Sequence, residues 1–440
     1  MALLSVKNFT EAQPSQLSVF DLPPTQTAVE KVYFHDVRPI SQLSGSSPIE
    51  FSISGQNGME YVDLRNSYIC VKVKIVGKNG VDLLPTEYVG PVNLFLQAMF
   101  SQVDISMQGR TVTPTTNNYP YKAFIQTLLG YGYGAKRSPL TSQLWIKDSA
   151  GHMDDNNVNA GQNLGLFERA KYFHESRVVQ LIGPISHDLC KLDRYILNQV
   201  GIDIKIYRSK PQFCLMTNEL DDDYNFHIED ISMKVCKIQI NPAVIYAHSQ
   251  ALQSTNAKYP FTKTDVKMMA LAQGQVNFTW DNIFQGMRPN KIVIGFVNSQ
   301  AVAGSFSLNP FSFANYNLNQ ITVSVDGIPA EGQPLKVNFE SGNGEQTTDL
   351  LISLFRVSGK WMNDVGNEIS RDDIGGGYAL YAFDLEPAFD DSNFLTLIKQ
   401  GNVRIDVQFG SSLPHPVTCI VYSEASGYFE INLARDVLLE

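Results

Sequence analysis

A stretch near the middle of the chain limits the folds that are available to it. Residues 320–325 read QITVSV, so that apolar and polar side chains alternate, and Asp326-Gly327 follows at once. Alternation at period 2 is what a strand with one wet face needs, and an Asp-Gly pair supplies the positive φ of a tight hairpin turn. Residues 291–297 (KIVIGFV) predict a second strand, and 298–319 predicts a long interaction loop. The centre of the chain is therefore predicted to be antiparallel β.

Short segments of the same kind recur along the whole chain. We interpret as strands the segments 48–54, 68–76, 93–99, 102–107, 176–182, 202–207, 230–240, 266–271, 276–280, 378–385, 403–409, 417–422 and 429–431. Only 121–129 and 349–357 show helical spacing. Gly130 and Gly359 are their predicted C-terminal caps. Many short strands with two isolated helices predict an all-β protein built from sandwiches or jelly rolls.

The length of 440 residues exceeds one ordinary core and predicts two domains of roughly 200 residues each. We predict an N-terminal arm at 1–28, a first jelly roll at 29–240, a crossover linker at 241–258, and a second jelly roll with a C-terminal tail at 259–440. The arm is polar and proline-containing, which is typical of a mobile tail. The linker shows little strand pattern and is expected to be partly helical.

Landmarks recur in the same order in both halves of the chain. Residues 102–109 (QVDISMQG) pair with 320–327 (QITVSVDG), 218 residues later. A short helical pattern that ends in glycine follows each of them, and a strand led by Gly201 or Gly401 comes later. Constant order with drifting spacing predicts two duplicated β domains whose loops have changed in length.

Charge, cysteine usage and hydropathy exclude some classes of protein. A net charge of −10 argues against a large basic surface for nucleic acid, although a local basic patch remains open. Five cysteines without a CxxC pair predict reduced and mostly buried thiols in a protein made inside a cell. The apolar run before Lys7 is too short for a signal-peptide core. No stretch approaches the roughly 20 apolar residues of a membrane span.

Histidine and aspartate clusters offer the nearest approach to a metal site. His174-Glu175 and His187-Asp188 lack a second histidine three to five residues away, which a zinc motif needs. The acidic run 221–223 (DDD) lacks the alternate-residue spacing and the glycine of a calcium loop. We interpret the two histidine pairs as turn and surface residues and the acidic run as a solvated turn.

Catalytic and phosphate-binding patterns are equally incomplete. Glu368 with Asp372 and Asp373 offers the paired carboxylates of a hydrolase, but the sequence does not place them face to face. The segment 130–137 (GYGYGAKR) fits neither phosphate-loop spacing and predicts a glycine-rich surface loop. Lys136-Arg137 in it, like Lys72 and Lys74 on a predicted strand, is far short of a nucleic-acid stripe. We therefore assign no catalytic, cofactor-binding or metal-binding residue.

Longer motifs in the second half resemble one protein family. They are 257–260 (AKYP), 289–295 (PNKIVIG), 309–313 (NPFSF), 364–373 (DVGNEISRDD), 376–378 (GGY), 383–385 (FDL), 401–405 (GNVRI), 413–414 (LP), 420–422 (IVY) and 429–431 (FEI). In this order they resemble the major capsid protein of Polinton/Maverick elements and of the related adintoviruses. The resemblance covers roughly 240 to 437, and the first half is similar in layout.

The resemblance implies a double jelly roll that assembles into the icosahedral shell of a double-stranded DNA virus or virus-like transposon. Three chains would form a homotrimeric, pseudo-hexameric capsomer, because each chain supplies two similar domains. The loops 130–163 and 298–319 would then be capsomer tops or intersubunit contacts. Neighbouring capsomers and penton and minor capsid proteins, with a protease and a packaging ATPase, are the implied partners. The implied location is the virion, after assembly inside the host cell.

Two other functions are compatible with jelly rolls. A hydrolase that acts on glycans, such as an amidase, would bring carboxylates together in a cleft between the domains. A lectin-like module would bind glycans as a monomer. The fold class does not decide among the three, because jelly rolls serve all of them. The capsid hypothesis requires neither a cofactor nor catalysis.

Overall fold

Two β-sandwiches follow one another along the chain. The computed structural model describes residues 12–43, 47–55, 58–113, 118–219, 223–340, 346–386 and 397–439. The strands of the first half are β1 (Val29–Val37), β2 (Ile49–Ile53), β3 (Glu60–Val76), β4 (Gly90–Pro91), β5 (Phe100–Met107), β6 (Arg110–Thr111), β7 (Val179–Gly183), β8 (Ile202–Arg208), β9 (Leu215–Met216) and β10 (Asn225–Ile240).

The second half contributes a similar set of strands. They are β11 (Ala257–Leu271), β12 (Asn277–Trp280), β13 (Met287–Arg288), β14 (Lys291–Asn298), β15 (Leu318–Val325), β16 (Ile328–Pro329), β17 (Leu335–Lys336), β18 (Leu380–Asp384), β19 (Lys399–Gln400), β20 (Val403–Phe409), β21 (Val417–Ile431) and β22 (Val437–Leu439). The predicted strands are thus largely confirmed, and the longest ones extend further than their alternating cores.

Helices occupy the connections between the strands. They are α1 (Phe95–Ala98), α2 (Tyr119–Gly130), α3 (Tyr133–Lys136), α4 (Leu164–Ala170), α5 (Pro211–Cys214), α6 (Pro242–Ala251), α7 (Ser299–Ala303), α8 (Thr348–Val357) and α9 (Arg371–Gly375). α2 and α8 confirm the two predicted helices, and α6 confirms that the crossover is partly helical. Short 3-10 turns, among them Asp188–Lys191, add further bends.

Four antiparallel sheets make up the two sandwiches. We call them sheet A (β1-β10-β3-β7), sheet B (β2-β8-β5-β6), sheet C (β11-β21-β14-β18, with β22 on β21) and sheet D (β12-β20-β15-β16, with β17 on β15). Sheets A and B draw only on the first half, and sheets C and D only on the second. Each half therefore has two sheets of at least four strands in the same order, which is the layout of a jelly roll.

The cores lie between the paired sheets and follow the period-2 pattern of the strands. In β8, Ile202, Ile204 and Ile206 are fully buried while Lys205 faces solvent. In the second sandwich, Phe296 of sheet C meets Phe409 of sheet D edge to face, with ring centroids 5.5 Å apart. Apolar burial on this inner face is the main term that holds each sandwich together.

Backbone irregularities confirm the internal repeat more sharply than the letters do. β5 shifts its register on β8 between Phe100 and Gln102, and β15 shifts on β20 between Leu318 and Gln320. The two positions are 218 residues apart, as the sequence alignment predicts. Each strand then ends in a two-residue turn with two positive φ angles, 51° and 73° at Gln108-Gly109 and 52° and 83° at Asp326-Gly327. These are the type I′ hairpin turns that an Asp-Gly pair favours.

Two local predictions are wrong, and a third is confirmed. Residues 93–99 are not a strand, because Leu94 takes a left-handed conformation (φ 55°) and starts α1 in a run that is buried on all sides. A fully buried apolar run has no periodicity to separate strand from helix. Gly130 does not cap α2 but is its last residue, and the extended Tyr131 ends the helix. Gly359, at φ 68°, does follow α8 in the left-handed conformation that a C-terminal cap requires.

The predicted N-terminal arm precedes the first strand of the first sandwich. Residues 12–28 are almost wholly exposed and extended apart from one 3-10 turn at Ser15–Leu17, and residues 1–11 lie outside the described part of the chain. The strand pairing falls into 29–240 and 257–439. The limits of the two sandwiches as independent domains stay a prediction.

Two glycine substitutions should change stability in opposite directions. Gly327→Ala should lower the free energy of unfolding by about 1 kcal/mol, because a side chain at positive φ is strained although nothing lies within 4 Å of it. Gly130→Ala should raise stability by up to about 1 kcal/mol, because Gly130 has helical φ and open space around it. Urea denaturation of both variants measures this. Equal losses would contradict the assignment of Gly130 to the last turn of the helix.

Candidate functional site at the junction of the two sandwiches

α2 lies between the two sandwiches and is covered on both sides. Ten of its 12 residues are buried. On the side of the second sandwich, Gln126 Nε2 donates to Thr264 Oγ1 (3.2 Å), and Asn118 Nδ2, just before the helix, donates to the Val266 carbonyl (2.9 Å). A cleft of about 200 Å³ remains between the C-terminal half of α2 and the outer face of sheet C. α2 therefore packs against both sandwiches.

An aromatic cluster fixes the loop between β14 and β15 against α2. Phe311 stacks on Phe124 of α2, with ring centroids 4.3 Å apart and planes 3° apart. Tyr121 meets Phe311 and Phe313 edge to face at 5.7 and 6.4 Å. Both phenylalanines of the loop are buried. The 298–319 segment therefore contributes its NPFSF motif to the inside of the chain, since burial of two phenylalanines outweighs the polar character of the rest of the loop.

A buried ion pair crosses the same junction. Lys122 Nζ of α2 lies 2.6 Å from Asp188 Oδ1, and the Asp188 side chain is fully buried. Asp188 Oδ2 accepts a hydrogen bond from the Thr264 backbone N–H of β11 (2.9 Å). Burial opposes ionisation of Asp188, but the charge and hydrogen bond of Lys122, with His187 nearby, hold its pKa below the usual range. The carboxylate therefore joins the helix of one sandwich to the edge strand of the other.

His187 is a buried structural histidine. Its Nδ1 accepts from the Leu189 N–H (3.2 Å), so its Nε2 carries the proton and donates to Thr113 Oγ1 (3.0 Å). Burial lowers its pKa to about 3, so the ring stays neutral at physiological pH. The prediction that His187-Asp188 is a surface turn is wrong, because both side chains find polar partners that offset the cost of burial.

A second buried charge anchors the NPFSF motif from the other side. Arg169 of α4 is fully buried and donates to the Pro91 and Ile146 carbonyls and, at 2.6 Å, to Asp148 Oδ1. Asp148 Oδ2 in turn accepts from Asn309 Nδ2 (3.1 Å). The Asp148 carbonyl also accepts from the Tyr378 hydroxyl (3.0 Å). Pairing of Arg169 with Asp148 inside the first sandwich thus positions a residue that binds the second sandwich twice, through its carboxylate and through its main-chain carbonyl.

Lys136 is buried, and its ammonium group donates to main-chain carbonyls while the charge of Glu368 acts on it from nearby. Its Nζ donates to the Leu128 carbonyl (2.8 Å) and to the Asn367 carbonyl (2.5 Å), and it lies 5.1 Å from the Trp145 ring. Burial lowers its pKa to about 7. The prediction of a small basic surface group at Lys136-Arg137 is therefore wrong for Lys136. The lysine folds inward because two carbonyls and an aromatic face replace its hydration shell.

Two of the three candidate carboxylates of a hydrolase cap a helix or face solvent, whereas Glu368 Oε2 is buried without a hydrogen-bond partner among the described residues. Asp373 caps α9 in a reciprocal capping box with Ser370 and lies 2.7 Å from Lys147 Nζ. Burial opposes its ionisation, yet these hydrogen bonds and the charge of Lys147 lower its pKa. Glu368 offers its main-chain carbonyl to the same Lys147 Nζ (2.7 Å), and Asp372 is exposed. A carboxylate with a lowered pKa that is engaged in capping is poorly suited to act as a general acid.

The remaining candidates are structurally ordinary. His174 and Glu175 are partly exposed at the end of a 3-10 turn, as predicted. Residues 221 and 222 lie outside the described residues, while Asp223 is exposed. Lys72 faces solvent and Lys74 pairs with Asp82 at 3.0 Å. The five cysteines are free and four are buried, which confirms the prediction of mostly buried thiols.

Neither a metal-binding cluster nor a membrane-spanning helix is found in the described ranges. Among residues 12–439 outside the gaps, no group of three or more His, Cys, Asp and Glu side chains is placed to hold a metal ion. In the same ranges no helix combines the length and the apolar character needed to cross a bilayer.

Comparisons with known sequences and solved structures find relatives that match nearly the full length of the chain. No protein-family model matches the chain. An uncharacterized protein of Caenorhabditis elegans is 23% identical over 434 residues, which is 95% of this chain and 99% of that protein. A chain of the Sputnik virophage has a TM-score of 0.62 at 12% identity, and the match covers 100% of this chain and 94% of that one.

Two further solved structures have the same arrangement of sandwiches. The Faustovirus major capsid protein has a TM-score of 0.54 at 8% identity, over 96% of this chain and 92% of that one. The chain is a double jelly roll. A chain of the PBCV-1 virus capsid agrees over 94% of this double jelly roll and 97% of its own length, with a TM-score of 0.56 at 8% identity. The fold expected from the resemblance is therefore confirmed.

Three of the motifs that carry the resemblance lie at this junction. Tyr259 of AKYP accepts at its hydroxyl from the Leu197 N–H (3.2 Å). Asn309 of NPFSF and the GNEISRDD segment contact Asp148, Lys136 and Lys147 of the first sandwich. Sequence analysis missed these partners, because a lone Lys, Arg or Asp in a loop carries no periodic signal. Residues of these motifs thus join the two halves of the double jelly roll.

Loss of the Lys122 charge should destabilise the chain strongly. Lys122→Met leaves the Asp188 carboxylate buried without its cation and should cost about 3–5 kcal/mol in the free energy of unfolding. The matched control is Lys171→Met, because Lys171 pairs with Glu168 at the surface, where both side chains are 51% exposed. That change should cost at most about 1 kcal/mol. Equal losses in chemical denaturation would contradict a role for the buried pair.

Stability should also depend on the protonation of Lys136. Its pKa is about 7 in the folded chain, below the ordinary 10.5, so the unfolded chain binds the extra proton between these values. The stability contributed at this position therefore rises with pH from about 7 toward 10.5. Lys136→Met removes the titrating group. The free-energy difference between Lys136→Met and the wild type, from urea denaturation, should favour the variant most at pH 6 and shrink by pH 9. A difference independent of pH would contradict this.

Proposed function

We propose that this chain is a major capsid protein, which forms the shell of a double-stranded DNA virus or of a virus-like transposon. The observation that carries the proposal is the double jelly roll itself, which matches the Faustovirus major capsid protein over nearly the full length of both chains. The sequence motifs of the Polinton/Maverick type support the same conclusion from an independent direction.

The proposed unit of assembly is a trimer. Two similar sandwiches per chain give six similar bodies in three copies, which is a pseudo-hexameric capsomer. Contacts between copies are then head-to-tail, and such contacts close into rings when the rotation permits. Neighbouring capsomers and penton and minor capsid proteins are the proposed partners, and the virion is the proposed location after assembly inside the host cell.

The capsid proposal assigns no catalytic residue to the chain. Of the carboxylates that the hydrolase alternative needs, Asp373 caps a helix and pairs with Lys147, Asp372 faces solvent, and one oxygen of Glu368 is buried without a hydrogen-bond partner among the described residues. No observation favours a glycan hydrolase or a lectin-like module over a shell protein. The division into an arm at 1–28, sandwiches at 29–240 and 259–440, and a linker at 241–258 is part of the proposal.

The purified chain should form trimers. We expect light scattering behind a sizing column to give a species of three times 49.0 kDa, and negative-stain images of that peak to show hexagonal outlines. The physical reason is that each copy offers two different surfaces that fit the next copy. A monomeric protein of about the size of lysozyme, at the same mass concentration, is the control for nonspecific association.

A folded monomer of 49.0 kDa at all concentrations would count against a shell protein. Glycan hydrolysis by that monomer, lost in a triple alanine variant of Glu368, Asp372 and Asp373, would favour the hydrolase. Glycan binding without hydrolysis would favour the lectin-like module.

A further inference from the structure

The edge strand of sheet C is covered by the first sandwich. Arg194 Nη1 donates to the Lys258 carbonyl of β11 at 2.5 Å. The Tyr259 hydroxyl accepts from the Leu197 N–H (3.2 Å) and donates to the Tyr195 carbonyl (3.1 Å). The segment 194–197, which leads into β8, therefore binds the beginning of β11. Further along β11, α2 and Asp188 bind Thr264 and Val266, as described above.

The corresponding edge strand of sheet A is open. β1 and β11 hold the same place in their sheets, each as the edge strand beside the last long strand of its half. Most residues of β1 are exposed, including Val32 (56%) and Phe34 (50%), which lie two residues apart and so on one face. By contrast Tyr259 of β11 is only 3% exposed. An exposed edge strand with apolar side chains invites pairing with another chain unless something covers it.

The second sandwich carries an unused counterpart of the covering segment. β8 and β20 are equivalent strands, because Ile202 pairs with the last residue of β5 and Val403 with the last residue of β15. This equivalence spans 201 residues, and it places Leu397 and Ile398 where Ile196 and Leu197 stand. Leu397 is 74% exposed and Ile398 is 53% exposed, whereas Ile196 and Leu197 are buried.

The chain therefore contains two equivalent pairs of surfaces, each a covering segment and an edge strand, and only one pair is in contact within the chain. Within the chain, the segment before β8 covers the edge strand of the next sandwich. Among the described residues, the segment before β20 covers no strand, and no element covers the exposed side chains of β1. Both open halves belong to the same chain yet remain exposed, so they do not meet each other within it. A second copy offers the missing half to each of them, and the contact is head-to-tail.

We propose that the segment with Leu397 and Ile398 docks on β1 of a second copy of this chain, in the way that residues 194–197 bind β11. The inference rests on the proposed function only for its supply of neighbouring copies. It names the surfaces that meet, which the trimer alone does not. Lys31 is the third residue of β1 and Tyr259 the third residue of β11, so Ile398 of one copy is placed near Lys31 of the next. Val32 and Phe34 then lose their exposure at the contact.

Cross-linking of the full chain tests the register. In a Cys70→Ser background, which removes the one cysteine that is not buried, Ile398→Cys and Lys31→Cys are combined and treated with a short bismaleimide. Denaturing gels should show covalent dimers and trimers. The matched control combines Lys31→Cys with Ile328→Cys, since Ile328 is 72% exposed on the second sandwich but at a different place. The control and each single variant should stay monomeric on the gel.

Charge substitution tests the energetics without the cross-linker. Leu397→Glu and Val32→Glu lie on exposed side chains and should leave the unfolding midpoint unchanged. Each should raise the dissociation constant between copies by about tenfold or more, because a carboxylate is buried against apolar surface. Ile328→Glu, equally exposed, should leave that constant within about twofold of the wild type. Sedimentation at several concentrations measures all three.

The outcomes separate this inference from the capsid proposal. A wild type that assembles, together with absent cross-links and unweakened Leu397→Glu assemblies, overturns the docking of Leu397 and Ile398 while the capsid proposal stands. A wild type that stays monomeric at every concentration overturns both. Cross-links in the designed pair alone, with weakened assembly of Leu397→Glu and Val32→Glu, support the inference.

Discussion

The stacking of Phe311 on Phe124 is the contact on which the relation of the two sandwiches depends. One ring comes from a loop of the second sandwich and the other from a helix of the first, and both are buried at a centroid distance of 4.3 Å. Side chains of this size fill the space between the halves only if the halves keep one relative position. The polar contacts around the stack then have fixed distances to satisfy. The double jelly roll is therefore one body whose two cores share an aromatic seam.

The buried charges around this seam determine how the two sandwiches dock more than they stabilise the chain. Arg169 with Asp148, and Lys122 with Asp188, are costly to remove from water, and much of their mutual attraction goes to offset that cost. Each carboxylate, however, has a second oxygen that is used by the other sandwich, through Asn309 or through the Thr264 N–H. A displaced second sandwich would leave these oxygens buried without a partner. Such an arrangement penalises wrong docking of two halves that are otherwise similar.

The sequence predicted the repeated β architecture but not the junction. Alternation marks strands such as β8 and β15, and Asp326-Gly327 marks the turn after β15, because both signals are local. The fully buried run around Leu94 lacks such a period, so the strand predicted there is α1. His187 and Lys136 look like surface residues in the sequence, since burial of a polar side chain depends on partners far along the chain. Lys136 meets Asn367, 231 residues away. The resemblance did mark the NPFSF and GNEISRDD motifs, although only the structure gives them their role in joining the halves.

The coverage of α2 by sheet C has a consequence for the order in which the chain is made. β1 pairs with β10, so the first sandwich can close once residue 240 has left the ribosome. α2 then already lies on the first sandwich, while β11, β14 and β21, which cover its other side, are still to come. A chain interrupted between the two halves would therefore display a bare helix face together with the unfilled place of Phe311. Newly made chains expose this apolar surface until the second half folds. Their yield therefore depends on how fast the second half covers it.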